Sequence, residues 1–174
     1  MRRISILLHD IRSVHNVGSV FRTADAFGVS KIYISGYTPS PKDRFGRMRA
    51  DIAKVALGAE KTVPWEVVGN SLSNAVSFVE NLQSGGARKG EVKIVALEQD
   101  KKSVSFAEAR GKLANTRADG ADSEILLILG NEVDGVDRAL LDLTDLIVEI
   151  PMHGKKESLN VSVSAGIALF GLIS

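Results

Sequence analysis

Short apolar runs of strand type alternate with segments of helical spacing along almost the whole chain. The strand-type runs are residues 5–9, 31–36, 62–68, 92–97, 124–129 and 146–150. The segments with helical spacing are residues 17–27, 51–57, 71–83, 106–113, 137–143 and 161–173. This alternation is typical of βαβ units, so we predict an α/β fold with a mostly parallel sheet flanked by helices on both faces. Residues 92–97 and 124–129 are too apolar for a solvated face and are expected to be the central strands.

Length and composition are those of one ordinary globular domain. The 174 residues are about the size of a single domain, which we expect to span residues 1–174. The absence of cysteine excludes thiolate nucleophiles, Cys-ligated zinc, iron–sulfur clusters and disulfide scaffolds. The chain contains no apolar stretch of the length that a signal peptide or a membrane span requires, so we expect a cytoplasmic location and no membrane partner.

Two further segments carry expectations about packing. Residues 161–173 are apolar almost all round, which predicts burial beyond one sheet face, and a second copy of the chain could supply the cover. Residues 111–122 are polar and are expected to form a loop.

The first candidate site lies at the turn that leads into the first predicted helix. Gly18 permits close backbone approach by a ligand, and Arg22 lies one turn further along, opposite the apolar stripe. The alternative for Arg22 is a surface ion pair with Asp25 at i, i+3. Taken alone, the ion pair is the favoured interpretation.

Two more candidate sites follow late strands. The sequence Gly130-Asn131-Glu132 comes directly after the apolar run 124–129, and a carboxylate at such a position usually has a partner. The alternative is a tight turn before a helix capped by Asp134 or Asp137.

The loop 151–160 contains Pro151 and Gly154 and ends with Ser158 and Asn160, just before an apolar helical segment. In an α/β protein, ligands bind in the crevice outside the carboxyl ends of the strands, so these polar side chains are candidates for chemistry. The alternative is that Ser158 or Asn160 caps the last helix.

Taken together, these segments form a specific pattern. Asn-x-Gly-x-x-x-Arg begins at Asn16, Gly-Asn-Glu-x-x-Gly begins at Gly130, and Ile-Pro-Met-x-Gly-x-x-x-Ser-Leu-Asn-Val-Ser begins at Ile150. A Lys-x-x-Leu-Gly-Ala-Glu segment begins at Lys54 between them. In this order and spacing the motifs resemble those of the SpoU (TrmH-like) branch of the SPOUT methyltransferases, and the resemblance covers nearly the whole chain.

The resemblance implies S-adenosylmethionine-dependent methylation of a ribose 2′-hydroxyl in tRNA or rRNA by a homodimer. It also implies a deep trefoil knot in the C-terminal region, an expectation that rests on the resemblance alone, because chains generally avoid threading loops. The positions that match the family's cofactor pocket are Leu97, Gly130, Glu132, Ile150, Met152, Ser158 and Leu159. The positions that match its catalytic residues are Arg22, Asn16, Glu132, Ser158 and Asn160.

The family pattern assigns the activation of the hydroxyl to Arg22. A guanidinium is very hard to deprotonate, so we interpret Arg22 as a cation that stabilises the incipient alkoxide or grips the adjacent phosphate. We expect Asn16, Ser158 and Asn160 to orient Arg22 and the ribose, and Glu132 to position Arg22 or the cofactor.

The net charge of +1 provides no global field, so RNA contact must come from local clusters of basic residues. The predicted RNA-binding residues are Lys42, Arg44, Arg47, Arg49 and Lys54. Phe45 is interleaved as a possible stacking platform, with Asp43 and Asp51 as the acidic neighbours. A charge-rich loop is more often merely solvated, and the resemblance is what favours RNA contact here. The three histidines lack metal-ligand spacing, so no metal site is predicted.

Two other functions remain open. A catalytically silent RNA-binding or nucleotide-binding module on the same fold is disfavoured, because it has no need for the five matched catalytic residues. Base methylation within the same superfamily fits the fold but does not fit the Asn-x-Gly-x-x-x-Arg segment.

Overall fold

Six parallel strands form one sheet in the order β3-β2-β1-β5-β4-β6. The computed structural model describes residues 3–84, 92–114 and 124–173. The strands are β1 (Ile4–His9), β2 (Lys31–Ser35), β3 (Trp65–Gly69), β4 (Val92–Leu97), β5 (Glu124–Leu129) and β6 (Leu146–Val148). The helices are α1 (Val14–Ala26), α2 (Ala50–Ala56), α3 (Ala59–Thr62), α4 (Leu72–Ser84), α5 (Phe106–Leu113), α6 (Arg138–Leu141) and α7 (Val161–Ile173).

The predicted fold class is confirmed, since helices cover both faces of the parallel sheet. Helices α1, α2, α3, α5 and α7 share one apolar cluster with alternate sheet residues such as Ile6 and Ile125. Helices α4 and α6 pack on the opposite face against residues such as Leu7 and Leu126. Successive side chains of each strand therefore point to opposite faces and belong to two separate apolar cores.

The centre of the sheet differs in part from the prediction. Strand β5 is central and β4 is interior as expected, but the neighbour of β5 at the centre is β1, which is buried at all of its residues. The polar residues in β1 are satisfied internally, because Ser5 donates to the Ile125 carbonyl at 3.3 Å and His9 Nδ1 lies 2.8 Å from Ser35 Oγ. Hydrogen bonds thus allow a strand with polar residues to occupy the core.

A short helix, α3, covers residues 59–62 and includes the first residue of the strand predicted over 62–68, and β3 begins only at Trp65. Leu57 ends α2 in the left-handed conformation with φ 53°, and Gly58 follows with φ 98°. The Glu60 carboxylate accepts a hydrogen bond from the Gly58 backbone N–H at 3.0 Å, which stabilises the new helical turn. Because residues 59–62 form a helix, the strand begins later in the chain than the apolar pattern predicted.

Gly18 was predicted to lie at a ligand site, but the structure places it inside a helix. Helix α1 begins at Val14, so Gly18 falls in its middle, where it is buried against α2. A Cβ at this position would lie 2.8 Å from Val55 Cβ and 3.0 Å from the Ile52 carbonyl oxygen. The glycine therefore allows α1 and α2 to pack closely, and the prediction of backbone approach by a ligand is wrong.

Helix α7 is buried on one side only within the chain. Ala165, Leu169 and Leu172 face the core, whereas three apolar side chains at helical spacing on the other side remain exposed. These are Val163, Ile167 and Phe170, exposed by 50%, 37% and 63%. The helix packs against α1, with Gly166 near the Thr23 methyl group.

Several expectations meet the structure only in part. Residues 111–113 complete α5 instead of starting a loop, and residues 115–122 lie outside the described part of the chain. The trefoil knot stays a prediction. In the described ranges, none of the helices combines the length and the apolar character needed to cross a membrane.

Candidate active site

The three sequence motifs meet at one edge of the sheet. Strands β1 and β5 are parallel neighbours, so the loops that follow their carboxyl ends lie side by side. The first loop leads into α1, the second contains Glu132, and the segment after β6 leads to Asn160 and α7. The crevice at this edge is the usual ligand site of open α/β sheets.

Glu132 is the centre of a hydrogen-bond network at this edge. Its Oε1 accepts from Asn16 Nδ2 at 2.9 Å and from the Ser13 backbone N–H at 3.4 Å. Its Oε2 accepts from the Arg12 backbone N–H at 3.1 Å. The other end of the Asn16 amide is also fixed, because Asn160 Nδ2 donates to Asn16 Oδ1 at 3.0 Å. One chain of hydrogen bonds, which we call the Glu132–Asn16–Asn160 network, thus joins all three motifs.

The environment of Glu132 favours its ionised form. Partial burial raises the pKa of its carboxyl group, but the hydrogen bonds donated by the Arg12 backbone, the Asn16 side chain and the Ser13 backbone outweigh that effect. The net shift of the Glu132 pKa is downward from the usual 4.5. Glu132 is therefore a charged anchor near neutral pH.

The turn after β5 is built around two glycines and an asparagine. A Cβ at Gly130 would lie 2.2 Å from the Gly135 carbonyl oxygen, and Gly135 itself has φ 73°. Asn131 Oδ1 accepts from the Val133 and Asp134 backbone N–H groups at 2.7 and 3.0 Å. The side chain thus satisfies backbone donors that a tight turn leaves without partners.

The helix cap that we considered as an alternative for this turn is also present. Asp137 accepts a hydrogen bond from the Ala139 backbone N–H at 2.9 Å and begins α6. The cap and the network use different residues, because Asp137 serves the helix while Glu132 binds Asn16. The two interpretations of the segment therefore hold together.

An open pocket lies between this turn, the end of β4 and the segment before α7. All the residues predicted to bind the cofactor line it, namely Leu97, Gly130, Glu132, Ile150, Met152, Ser158 and Leu159. Glu98, which was not predicted, also lines it, as do Asn131 and Asp134, which belong to the predicted segment 130–135 but were not assigned to the cofactor. Glu98 was detectable, because it is a carboxylate placed directly after the apolar strand β4.

The charge of the pocket lining has one sign. Glu98, Glu132 and Asp134 contribute carboxylates, and no lysine or arginine of the described residues lines the pocket. Glu98 is held in place, since its Oε2 accepts from the Val136 backbone N–H at 2.8 Å and its Oε1 from the Gln99 backbone N–H at 2.8 Å. The rest of the lining combines apolar side chains such as Leu97 and Ile150 with polar ones such as Asn131 and Ser158. Such a lining suits a ligand that carries a positive charge together with both apolar and hydrogen-bonding groups.

Arg22 is not bonded to the network within one chain, among the residues that the structure describes. Its side chain is exposed on α1 and, in the described residues, forms no hydrogen bond or ion pair. The expected contacts from Asn16, Asn160 and Glu132 to Arg22 are therefore not formed within one chain, because these three residues bind one another. The alternative pair with Asp25 is not formed either, since Asp25 accepts from Thr62 Oγ1 at 2.6 Å.

The cap of α7 belongs to Asn160 and not to Ser158. Asn160 Oδ1 accepts from the Ser162 backbone N–H at 2.8 Å. Ser158 is exposed and lines the pocket. Asn160 therefore combines two roles, because it caps the helix with its oxygen and holds Asn16 with its nitrogen.

Two of the predicted RNA-binding residues form ion pairs with neighbouring aspartates, and the other three do not within the described residues. Arg47 pairs with Asp43 at 2.8 Å and Arg49 with Asp51 at 2.9 Å. Lys42, Arg44 and Lys54 are exposed, with no ion pair in the described part of the chain. Their contact with RNA stays a prediction.

An exposed aromatic ring lies close to two of these cations. Phe45 is 65% exposed, and the guanidinium carbons of Arg44 and Arg47 lie 4.8 and 5.0 Å from its ring centroid. The ring and its cations together form a surface of the kind that stacks an unpaired base.

Tyr37 and Arg12 connect this loop to the network, and sequence reasoning missed both. The Tyr37 hydroxyl accepts hydrogen bonds from Asn131 Nδ2 and, over a long 3.5 Å, from Arg12 Nε. Asn131 Nδ2 also donates to the Asp10 carbonyl at 3.0 Å. No local pattern in the sequence marks either residue, because the partners lie 94 and 25 positions away.

Known proteins share both the sequence and the fold. A 23S rRNA (guanosine-2′-O-)-methyltransferase RlmB from Neisseria meningitidis serogroup B is 33% identical over 164 residues, which cover 94% of this chain and 55% of the relative. The crystal structure of an AdoMet-bound rRNA methyltransferase from Sinorhizobium meliloti matches with a TM-score of 0.74 at 25% identity, over 98% of this chain and 55% of that one. The A. aeolicus TrmH/SpoU tRNA modifying enzyme matches with a TM-score of 0.70 at 26% identity, over 99% and 74%.

This chain spans about half the length of the curated relatives that it matches. A model of the SpoU rRNA Methylase family matches residues 3–170, nearly the whole chain. As its three motifs predicted, the chain belongs to the SpoU rRNA Methylase family.

Proposed function

We propose that this chain transfers a methyl group from S-adenosylmethionine to a ribose 2′-hydroxyl of rRNA or tRNA. The observation that carries the proposal is the Glu132–Asn16–Asn160 network, which joins three distant motifs beside one pocket. Relatives named as ribose 2′-O-methyltransferases of 23S rRNA and a related AdoMet-bound structure support it.

The pocket residues fit the proposed cofactor. Leu97, Ile150 and Leu159 offer apolar surface for an adenine ring, and the carboxylates of Glu98 and Asp134 lie where a cationic ligand gains attraction. When bound, the cofactor supplies an electrophilic methyl group on a positively charged sulfur. The segment around Ile150 and Met152 lies outside any helix or strand, so its backbone groups are available to a ligand.

The network assigns positioning roles to its members. A neutral hydroxyl is a poor nucleophile, so the site must hold the ribose in line and stabilise the charge that develops on its oxygen. Because the pKa of Glu132 is lowered, Glu132 is a poor proton acceptor, and we assign it to fixing the Asn16 amide. The ribose oxygen held beside this network would receive the methyl group of the bound cofactor, and the hydroxyl proton would pass to solvent.

The proposed active form is a homodimer. Val163, Ile167 and Phe170 form an exposed apolar stripe on α7, and such a stripe suits a second copy of the chain. Arg22 lies exposed on α1, which packs against α7. A second copy on this surface would enclose the guanidinium, which is free of the network within one chain. The family match over residues 3–170 supports a single domain over residues 1–174.

The test is incubation of the protein with methyl-labelled cofactor and unfractionated rRNA and tRNA, followed by digestion and mapping of the labelled nucleotide. The proposal requires label on a ribose oxygen. Label on a base would instead indicate base methylation. Cofactor and RNA binding without transfer would indicate a silent binding module.

A further inference from the structure

Arg12 contacts both Glu132 of the network and Tyr37, which begins the loop that contains the basic residues. Its backbone N–H donates to Glu132 Oε2 at 3.1 Å, and its side chain points to the Tyr37 hydroxyl through Nε at 3.5 Å. Tyr37 begins the segment that continues to the exposed residues around Phe45. Arg12 therefore contacts both the network and the first residue of the segment that carries the predicted RNA-binding residues.

The guanidinium of Arg12 presents its terminal nitrogens to solvent. The side chain is exposed, and in residues 3–84, 92–114 and 124–173 neither Nη1 nor Nη2 forms a hydrogen bond or an ion pair. Holding a guanidinium by Nε leaves its two-nitrogen edge free, and that edge matches the geometry of a phosphate.

The groups around Arg12 stabilise its charged form, and none of the described residues forms an ion pair with it. The hydrogen bond to Tyr37 and the nearby charges of Asp134 and Glu132 raise the pKa of Arg12 further. Both carboxylates line the pocket, where no arginine or lysine of the described residues is found. A cation at this rim would offset the repulsion between these carboxylates and a polyanionic substrate.

From this placement we infer that Arg12 binds a backbone phosphate of the substrate RNA next to the reacting ribose, and that Tyr37 positions it. The inference rests on the proposed function, because the ligand is taken to be the RNA that is methylated.

Arg12→Gln, Arg12→Lys and Tyr37→Phe test the inference, with Lys61→Gln on the exposed side of α3 as the control for a lost charge. The probes are fluorescein-labelled unfractionated tRNA and fragmented rRNA, bound by protein saturated with S-adenosylhomocysteine. Arg12→Gln should weaken binding roughly tenfold and lower the slope of log K against log salt by about 0.7 to 0.9. Arg12→Lys should retain the wild-type slope, because it keeps the charge. It should lose only part of the affinity that Arg12→Gln loses, because it lacks the two-nitrogen edge.

Tyr37→Phe distinguishes positioning from direct contact. It should weaken RNA binding less than Arg12→Gln does and should have no further effect in the Arg12→Gln background, while the Kd for the cofactor stays unchanged. An additive effect, or a loss of cofactor binding, would show that Tyr37 acts through Asn131 instead.

The binding readout separates this inference from the proposed function. If the wild type transfers no methyl group to RNA, the proposed function fails, yet the salt slopes still decide whether Arg12 contacts phosphate. If Arg12→Gln behaves as Lys61→Gln does, the inference is overturned. If the wild type binds neither RNA, both proposals fail.

Discussion

Asn160 donates a hydrogen bond to Asn16 over 3.0 Å, although 144 positions separate the two residues in the chain. The same Asn160 begins α7 by accepting from the Ser162 backbone N–H with its oxygen. The start of the last helix and the orientation of a first-motif side chain are therefore fixed by one amide. The donor of that amide can be removed while the acceptor is kept.

Asn160→Asp should retain the helix cap and lose the donor to Asn16. We expect a melting temperature close to that of the wild type and a methyl-transfer kcat lowered by at least tenfold. Asn160→Ala should lose both roles and also destabilise the fold by about 1 kcal/mol, the usual cost of a lost N-cap. Thermal unfolding and single-turnover transfer on both variants check this. Equal stability of the two variants would show that the cap contributes nothing.

Glu132 should make stability depend on pH in the acidic range. Its pKa is lowered in the folded state from the usual 4.5, so its stabilising contribution is present above that value and is lost as pH falls through the folded-state pKa. Urea denaturation as a function of pH should show a steeper loss of stability below about pH 4.5 in the wild type than in Glu132→Gln. Identical pH profiles for the two proteins would show that Glu132 does not contribute to the pH dependence of stability.

Two glycines should respond to alanine in different ways. Gly18→Ala places a Cβ 2.8 Å from Val55 Cβ, and we expect it to destabilise the packing of α1 on α2 by about 1 to 3 kcal/mol. Gly130→Ala clashes with the Gly135 carbonyl and should displace the turn that lines the pocket, so its main effect should be on the Kd for the cofactor.

Gly154→Ala is the control for these two variants, because a Cβ there meets no atom within 4 Å. Chemical denaturation and calorimetric titration with S-adenosylmethionine separate the two effects. If Gly18→Ala weakened cofactor binding without changing stability, the packing role of Gly18 would be wrong.

Phe170→Glu should disrupt the proposed dimer. Phe170 is 63% exposed on α7, and a charge at the centre of an apolar interface is costly. Sedimentation equilibrium should show a dimer for the wild type and a monomer for the variant. Val67→Glu changes a half-exposed residue on the edge strand β3 and should remain dimeric. A monomeric wild type would contradict the proposal directly.

Phe45→Ala should weaken RNA binding by about 1 to 3 kcal/mol if the ring stacks a base. Phe45→Trp should retain most of the affinity, because it keeps an aromatic ring beside Arg44 and Arg47. Fluorescence anisotropy with labelled tRNA and rRNA measures both. Equal affinities for alanine and tryptophan would exclude stacking.

Local sequence patterns determined much of this molecule. The bounds of β4, β5, α5 and α7 agree with the prediction at both ends, because the periodicity of apolar residues is a property of neighbouring positions. The motifs identified the family and the residues around the pocket, from Leu97 to Leu159.

Tertiary structure decided which side chains meet. Gly18 was assigned to a ligand, and only the packing of α2 on α1 shows that it contacts Val55. Arg12 and Tyr37 carry no local signal, and they became candidates only when three loops met at one sheet edge. Periodicity reports which face of an element is apolar, whereas hydrogen bonds between residues more than 100 positions apart depend on strand order, which local patterns do not encode.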